Sequence, residues 1–528
     1  MTNFRPAYLA VALLLAATSL SSAQTKSASP SVYLQCDGNP PHRSTGELLG
    51  RALLLSATLG LAGQGEVQDV SKRAHGIDGV DACDAALLQE NDPARKVQLM
   101  LARSIHHIET RDYPAALEDA REAPSLAGHA ADDVGFQHSL FVSSFELQAA
   151  VLVRDGNFPE AAAAALRMAN SSPYDVITQV RSIPYVQLTA ELTPEKQVYL
   201  DRLVKIFPEA LAFRAIIYQW AGKYLEAAAD YANIVDLRSG FSPDNNSPPL
   251  PGILGLRSVM LALGGKMDES IAVAAETSAM IRVLGATGKT ALMQSSIDSA
   301  EQALDFQAII VDLTAGRVSA ARAKFAARSH WSVPATPAVA ELAARLRQGT
   351  LSAEITGSLA TDPAAMRTNG LVANAGAITE ADNAVASLYG AIRQPIDAST
   401  YHSWTDDVWD TKSSVFLHNR AANENYVGEL MMVPRTPGFF KPLHFITIAA
   451  GDALLMHSAL MAKARRAKGF ELFPARKQLE AFFVRFGNPG EPGMPAAVTF
   501  DAATVVAELS NEFPVSKGAT SGSVPANQ

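Results

Sequence analysis

The chain has 528 residues, a formal net charge of −9, and 48% hydrophobic against 18% charged residues. This length is sufficient for more than one hydrophobic core, and the composition is typical of a folded rather than a disordered chain. The negative net charge argues against a nucleic-acid partner, because binding to phosphates requires a basic face that displaces their counterions.

The first 23 residues predict a secretory signal peptide. Arg5 supplies a positive charge, residues 7–15 form an apolar run, and residues 21–23 are small, as a cleavage point requires. An uncleaved membrane anchor is the alternative, but the apolar run is short for a span. No later stretch is apolar for long enough to cross a bilayer. We therefore expect a periplasmic protein without an integral membrane span.

Residues 24–92 predict a helical cap at the N-terminus of the exported chain. A first buried helix is expected over 47–61, where Leu and Ala are frequent. Cys36 and Cys83 are the two cysteines of the chain, and export to an oxidising compartment favours a disulfide between them. Two separate buried thiols remain the alternative.

Residues 93–348 predict consecutive helical hairpins. Each hairpin has apolar residues at helical spacing, a tight turn and mostly small residues where its two helices would cross. The best example is 208–237, with Gly222 at the turn and Ala215 and Ala227 at the crossing. In the last hairpin Ile309 occupies a crossing position that should be small. The predicted turns recur at Asp112, Asn157, Lys223, Lys266 and Arg317.

The gaps between these turns vary, so insertions must separate the hairpins. An extra helix is expected within residues 171–206. Residues 239–251 are rich in Pro and Asn, which predicts a loop.

This pattern of hairpins resembles the tetratricopeptide repeat. The resemblance implies an α-solenoid in which each hairpin buries its apolar face against the next. It also implies a concave surface that binds a peptide or protein. Arg214 and Arg257 occupy the repeat position beside the small residue, where exposed side chains would contact a ligand. Their charge suits an acidic or C-terminal carboxylate ligand, and Tyr218 is the third candidate contact.

The helical periodicity of the sequence becomes weaker after the predicted hairpins. Residues 349–384 lack clear periodicity and predict a linker. Residues 385–515 predict a small C-terminal α/β domain, with a strand over 426–433, a helix over 453–468, a hairpin over 470–486 and a final helix ending at Leu509. Residues 516–528 predict a flexible tail. The expected fold class is therefore mainly α, a solenoid followed by a small α/β domain.

The C-terminal block also resembles a small family of exported bacterial domains. The matching pieces are Leu454-Leu455, Ser458-Ala459, Gly469-Phe470 and the run from Asp501 to Val505. This resemblance implies an exported bacterial protein and no particular activity.

No motif in the chain predicts catalysis, a cofactor or a metal site. Residues 285–290 lack the first glycine of a phosphate-binding loop, and Val283 occupies its place. His106 and His107 are adjacent, so on a helix they point in different directions and cannot grip one metal. Residues 401–418 combine acidic residues, two histidines and two tryptophans, which leaves metal binding or acid-base chemistry as an alternative.

The favoured hypothesis is an exported scaffold, not an enzyme, that binds a protein or peptide. One alternative is a metal-binding or enzymatic C-terminal domain that the hairpins position. Another is a structural component of a cell-envelope assembly. The sequence leaves the oligomeric state open.

Overall fold

A computed structural model describes residues 30–41, 68–240, 251–285, 291–348, 355–380, 384–396, 404–410, 417–420, 429–432, 444–474, 481–491 and 493–514. The predicted signal peptide, the helix expected over 47–61 and the predicted tail lie outside these residues. The described chain is mainly helical, which confirms the predicted class. Within the described ranges, no helix combines the length and the apolar character that a membrane span requires.

The helices follow one another with short connections over most of the chain. They are α1 Val32–Asp37, α2 Gly76–Gln89, α3 Pro93–Glu109, α4 Tyr113–Glu122, α5 Val142–Arg154, α6 Phe158–Ser171, α7 Val176–Val186, α8 Pro194–Ile206, α9 Leu211–Trp220, α10 Tyr224–Gly240, α11 Pro251–Leu263, α12 Met267–Gly285, α13 Ala291–Thr314, α14 Val318–Ala326, α15 Thr336–Arg347, α16 Pro363–Thr379, α17 Thr405–Trp409, α18 His444–Ala464 and α19 Ala502–Leu509. Many begin with a side-chain cap followed by proline, as α3 does with Asp92 and Pro93.

Five helix pairs, α3/α4, α5/α6, α9/α10, α11/α12 and α13/α14, have the same turn. In each, the second residue after the first helix adopts a positive φ, and the next backbone N–H donates to a carbonyl five residues earlier over 2.7–2.9 Å. This geometry is a Schellman cap, which satisfies carbonyls that the helix end leaves open. The positive-φ residues are Arg111, Gly156, Gly222, Gly265 and Gly316.

The predicted crossing positions are buried in all five hairpins. In the first and fourth hairpins, a serine hydroxyl also bonds a carbonyl across the crossing. Ser104 Oγ donates to the carbonyl of Ala116, and Ser270 Oγ to that of Ser258, each over 2.7 Å and 12 residues of chain. Small residues therefore let the two helix backbones approach closely. Ile309 is only 1% exposed, so the fifth crossing accommodates a larger side chain.

Two helices, α7 and α8, separate the second hairpin from the third, where the sequence predicted one. At the other end of the series, α1 packs on α2 and α3. A disulfide joins Cys36 and Cys83, which confirms the predicted pair. Arg95 of α3 forms a buried two-point ion pair with Asp37, the last residue of α1.

The predicted linker contains α16, which packs on α15. The sequence did not reveal this helix because it has no apolar stripe, and Ala375 is its one fully buried residue. Gly370 explains the close approach: a Cβ there would lie 3.1 Å from the Trp220 ring and 3.2 Å from Thr336 Cγ2.

Residues 384–396, which follow the linker, lie across the N-terminal helices. Gln98 Nε2 of α3 donates to the carbonyl of Arg393 (3.1 Å), and the Arg393 N–H donates to Ser143 Oγ of α5 (2.9 Å). The Tyr389 ring meets His106 of α3 edge to face. We call residues 384–396 the strap.

The C-terminal residues form an antiparallel sheet beside α18 and α19. Its strands are β1 Leu417–Arg420, β2 Glu429–Met432, β3 Gly469–Pro474, β4 Ala481–Gly487 and β5 Phe500–Asp501, in the order β1-β2-β4-β3-β5. Phe470 pairs with Phe486 and with Phe500, so β3 is central at this level. The predicted 470–486 hairpin is thus β3 and β4.

Three main apolar cores fill the described chain. One lies under α3–α9, a second under α9–α15, and a third joins α18, α19 and the sheet. The third core includes Tyr174, Ile206 and, from the strap, Ile396. The C-terminal residues therefore share a core with helices of the hairpin region.

Candidate functional site

Arg214, an expected ligand contact, is buried rather than exposed. Only 5% of the residue is accessible. Its Nε and Nη2 donate to the two carboxylate oxygens of Asp230 on α10 over 2.9 and 2.6 Å, and its Nη1 donates to Asp201 over 2.7 Å. A two-point contact of this kind is a strong charge-assisted pair. The prediction that Arg214 is exposed is wrong because the facing helix supplies a carboxylate.

The same pair occurs in the first hairpin. Arg103 of α3 donates to both oxygens of Asp119 on α4 over 2.9 and 2.6 Å, and 16 residues separate each arginine from its aspartate. In the fourth hairpin the equivalent positions hold Arg257 and Val273. Arg257 is half-buried and forms no ion pair with any residue that the structure describes. Arg257 therefore lacks the facing carboxylate that buries Arg214, because Val273 occupies that position.

Tyr218, the third expected contact, also bonds within the protein. The residue is 7% exposed, and its hydroxyl accepts a hydrogen bond from Gln197 Nε2 over 2.8 Å. The Arg214 guanidinium lies 5.6 Å from its ring centre. Burial raises the pKa of Tyr218, which keeps the hydroxyl neutral.

An open cleft of about 660 Å³ lies where the third and fourth hairpin turns meet α15 and α16. Trp220, Tyr224 and Leu225 form its apolar side, and Leu225 is 41% exposed. Lys223, at the turn, is exposed and forms no ion pair with a described residue. The other charged lining residues are Glu226, Glu341, Arg345 and Arg367.

Two arginines fix the wall of this cleft. Arg367 of α16 donates to the carbonyl of Trp220 (2.5 Å), and Arg345 of α15 donates to that of Leu263 (3.3 Å). Each guanidinium thus sits at the C-terminal end of a first helix, where the helix dipole favours a cation. Arg345 is also paired with Glu341, and burial raises the pKa of Tyr224 to about 12. Lys223 lines the same cleft and is exposed.

The tryptophans of the predicted 401–418 cluster belong to the C-terminal core. Trp404 is 4% exposed, and Trp409 Nε1 donates to the carbonyl of Phe513 over 2.8 Å. Asp410 is exposed. The structure describes residues 404–410 and 417–418 of this stretch. Within them the tryptophans pack, and Asp410 lies at the surface.

His106 of α3 packs against the N-terminal cap. It is fully buried, with Nε2 2.8 Å from the carbonyl oxygen of Cys36 and Nδ1 3.1 Å from Glu109 Oε2. A Cβ on Gly79 would lie 2.2 Å from the His106 ring. Glycine is therefore required at position 79 for the histidine to fit.

A second polar group, which the sequence analysis missed, lies between the hairpin region and α18. His138, Asp452 and Glu512 each place one ligand-type atom within 4.8 Å of the others. They are far apart in sequence, so no motif spacing joins them. The available signal was Asp452, a carboxylate within the apolar run of α18.

Comparison with known proteins does not extend this description. No family model, no curated protein and no solved structure matches the chain.

Proposed function

We propose that the chain is an exported, non-enzymatic scaffold whose stacked helical hairpins bind a peptide or protein in the periplasm. The observation that carries the proposal is the fivefold recurrence of one hairpin, with the same turn and the same crossing positions. Repeated hairpins that stack form extended binding surfaces. The disulfide is in keeping with an oxidising compartment.

The ligand we infer is a peptide with a carboxylate and a neighbouring apolar side chain. Lys223 supplies an unpaired cation at the cleft, and Leu225 with Trp220 supplies an apolar surface. Arg257 supplies a second unpaired guanidinium on the first helix of the fourth hairpin. Binding through these residues would leave the buried Arg214–Asp230 pair intact.

A peptide library with free C-terminal carboxylates tests this proposal. We expect the full chain to select sequences with an apolar residue near the carboxylate. Replacing Lys223 or Arg257 by Ala should weaken the selected peptide about tenfold each, because a charge-assisted hydrogen bond to a carboxylate contributes about 1.5 kcal/mol. Affinity is measured by fluorescence anisotropy.

Lys266→Ala is the matched control. Lys266 occupies the same position of the next turn and is exposed, but it does not line the cleft. It should leave affinity unchanged. Equal losses for Lys223→Ala and Lys266→Ala would indicate unspecific attraction, and failure to select any peptide would contradict the proposal.

A further inference from the structure

Three segments of the chain contribute one residue each to the polar group between the hairpin region and the C-terminal core. His138 lies in a π-helical segment, Gln137–Phe141, that leads into α5. Asp452 lies on α18 and Glu512 follows α19. His138 is 4% and Asp452 1% exposed, and the Glu512 side chain is 19% exposed. Single π-helical turns within helices often occur at functional sites.

A second hydrogen bond orients the imidazole of His138. Its Nδ1 lies 3.0 Å from the hydroxyl of Ser172, which is fully buried. Its Nε2 is thereby directed at Glu512, 3.5 Å from Oε1. A ligating histidine has its other ring nitrogen fixed in this way in metal sites, because the outer hydrogen bond sets the ring orientation.

Asp452 is the decisive residue because both of its carboxylate oxygens are buried and have no hydrogen-bond partner among the residues that the structure describes. Glu512 Oε2 is likewise buried and has no partner in the described ranges. An unpaired buried carboxylate is costly unless a proton or a cation neutralises it. Arg393, a nearby cation, is already paired with Asp175 over 3.1 Å.

The electrostatics of this position oppose a bare carboxylate. Asp452 is 1% exposed and one of its oxygens lies within 4.8 Å of a Glu512 oxygen, so two ionised side chains would meet both a desolvation cost and repulsion between like charges. A cation placed among the three side chains would remove both penalties, since two carboxylates and one neutral imidazole balance a charge of +2.

We propose that His138 Nε2 and the carboxylates of Asp452 and Glu512 bind a divalent transition-metal ion of the Zn²⁺ type. One imidazole and two carboxylates suit zinc and its neighbours, whereas Mg²⁺ and Ca²⁺ favour all-oxygen sites. The ion would fasten α18 and the residues after α19 to the helix that carries His138. Metal binding here does not depend on the proposed scaffold function.

The test uses the full chain, produced without a polyhistidine tag and freed of metal by chelation and dialysis. Isothermal titration with Zn²⁺ should give one site per chain. Asp452→Asn should weaken that site at least 100-fold, and Ser172→Ala, which keeps all three ligands, about tenfold. Asp268→Asn, an exposed carboxylate on α12, is the control that should change nothing.

Thermal unfolding distinguishes a metal from a shared proton. In the presence of a chelator, the Asp452→Asn variant should have a higher melting temperature than the wild type, because the substitution removes an unpaired buried carboxylate. Added Zn²⁺ should raise the melting temperature of the wild type and of Asp268→Asn but not that of Asp452→Asn. Absence of saturable binding to the wild type would overturn the proposal, as would equal Zn²⁺ affinity in the Asp452→Asn variant. If that variant does not fold, the wild-type titration and Ser172→Ala decide.

Discussion

Lys196 is a buried cation that destabilises the protein at neutral pH. It is 1% exposed, and its Nζ donates to the carbonyl and hydroxyl of Thr189 over 2.8 and 3.2 Å; no carboxylate of the described residues bonds it. Burial lowers its pKa from 10.5 to about 8, an effect that the charge of Glu191 only partly opposes. Below pH 8 the buried Lys196 is therefore charged, and its desolvation lowers the stability of the folded state.

We expect the contribution of Lys196 to the free energy of unfolding, taken as the difference between the wild type and Lys196→Met, to rise between pH 8 and 10.5. In that window the unfolded chain keeps the Lys196 proton and the folded chain releases it, so a higher pH favours the folded state. Lys196→Met should raise the free energy of unfolding at pH 7 by about 2 kcal/mol, after allowance for the hydrogen bonds lost to Thr189. Urea unfolding from pH 7 to 10.5 measures both effects.

The same series includes a control. Lys266→Met changes an exposed lysine and should leave the pH profile as in the wild type. If the Lys196→Met profile retained the full rise between pH 8 and 10.5, the rise would have another origin.

Single residues differ in how far the sequence could predict them. The Cys36–Cys83 disulfide could be predicted from the number of cysteines in the chain and from the expected oxidising compartment. The exposure of Arg214 could not be judged from its own helix, since Asp230 on the facing helix buries it. The cluster of His138, Asp452 and Glu512 depends on contacts between three segments far apart in the chain, for which the sequence gives no spacing.

At the scale of the element, the first hairpin turn differs from the other four. Arg111 adopts φ 62° where the others have glycine, such as Gly222 with φ 72°. A side chain at this φ is strained by about 1 kcal/mol. A Cβ on Gly222 would meet nothing within 4 Å, so any change there reports the backbone alone.

We therefore expect opposite effects from two reciprocal substitutions. Arg111→Gly should raise the free energy of unfolding by about 0.5–1 kcal/mol, and Gly222→Ala should lower it by about 1 kcal/mol. Chemical denaturation measures both, with the double variant close to their sum. If both substitutions had the same sign, backbone strain would not be the cause.

The helices themselves were predictable where two local signals agreed. The turn recurs in all five hairpins, and two small crossing residues accompany it in the first four, whereas the fifth has Ile309 at one crossing position. Helix α16 has neither signal, and tertiary contacts through Gly370 to Trp220 and Thr336 hold it. The local sequence pattern therefore predicted the hairpins. Helix α16, in contrast, depends on tertiary packing that the local sequence does not show.

At the scale of the whole molecule, the strap connects the N-terminal helices with the C-terminal core. Arg393 bonds Ser143 on one side, and Ile396 enters the core of α18 and the sheet on the other. The Ile396 N–H donates to Ser139 Oγ over 3.4 Å. Gly135 permits this path, because a Cβ there would lie 1.9 Å from the Ile396 carbonyl oxygen.

Gly135→Ala should therefore loosen the connection between the two parts. The clash is with backbone rather than with a flexible side chain, so we expect a loss of about 2–3 kcal/mol in the free energy of unfolding. Hydrogen exchange at the amides of Arg393 and Ile396 should accelerate, because the strap must move to admit the methyl group. Gly285→Ala, which meets nothing within 4 Å, is the control and should leave exchange in the strap unchanged. Exchange as slow in Gly135→Ala as in the wild type would show that the strap holds its place without this contact.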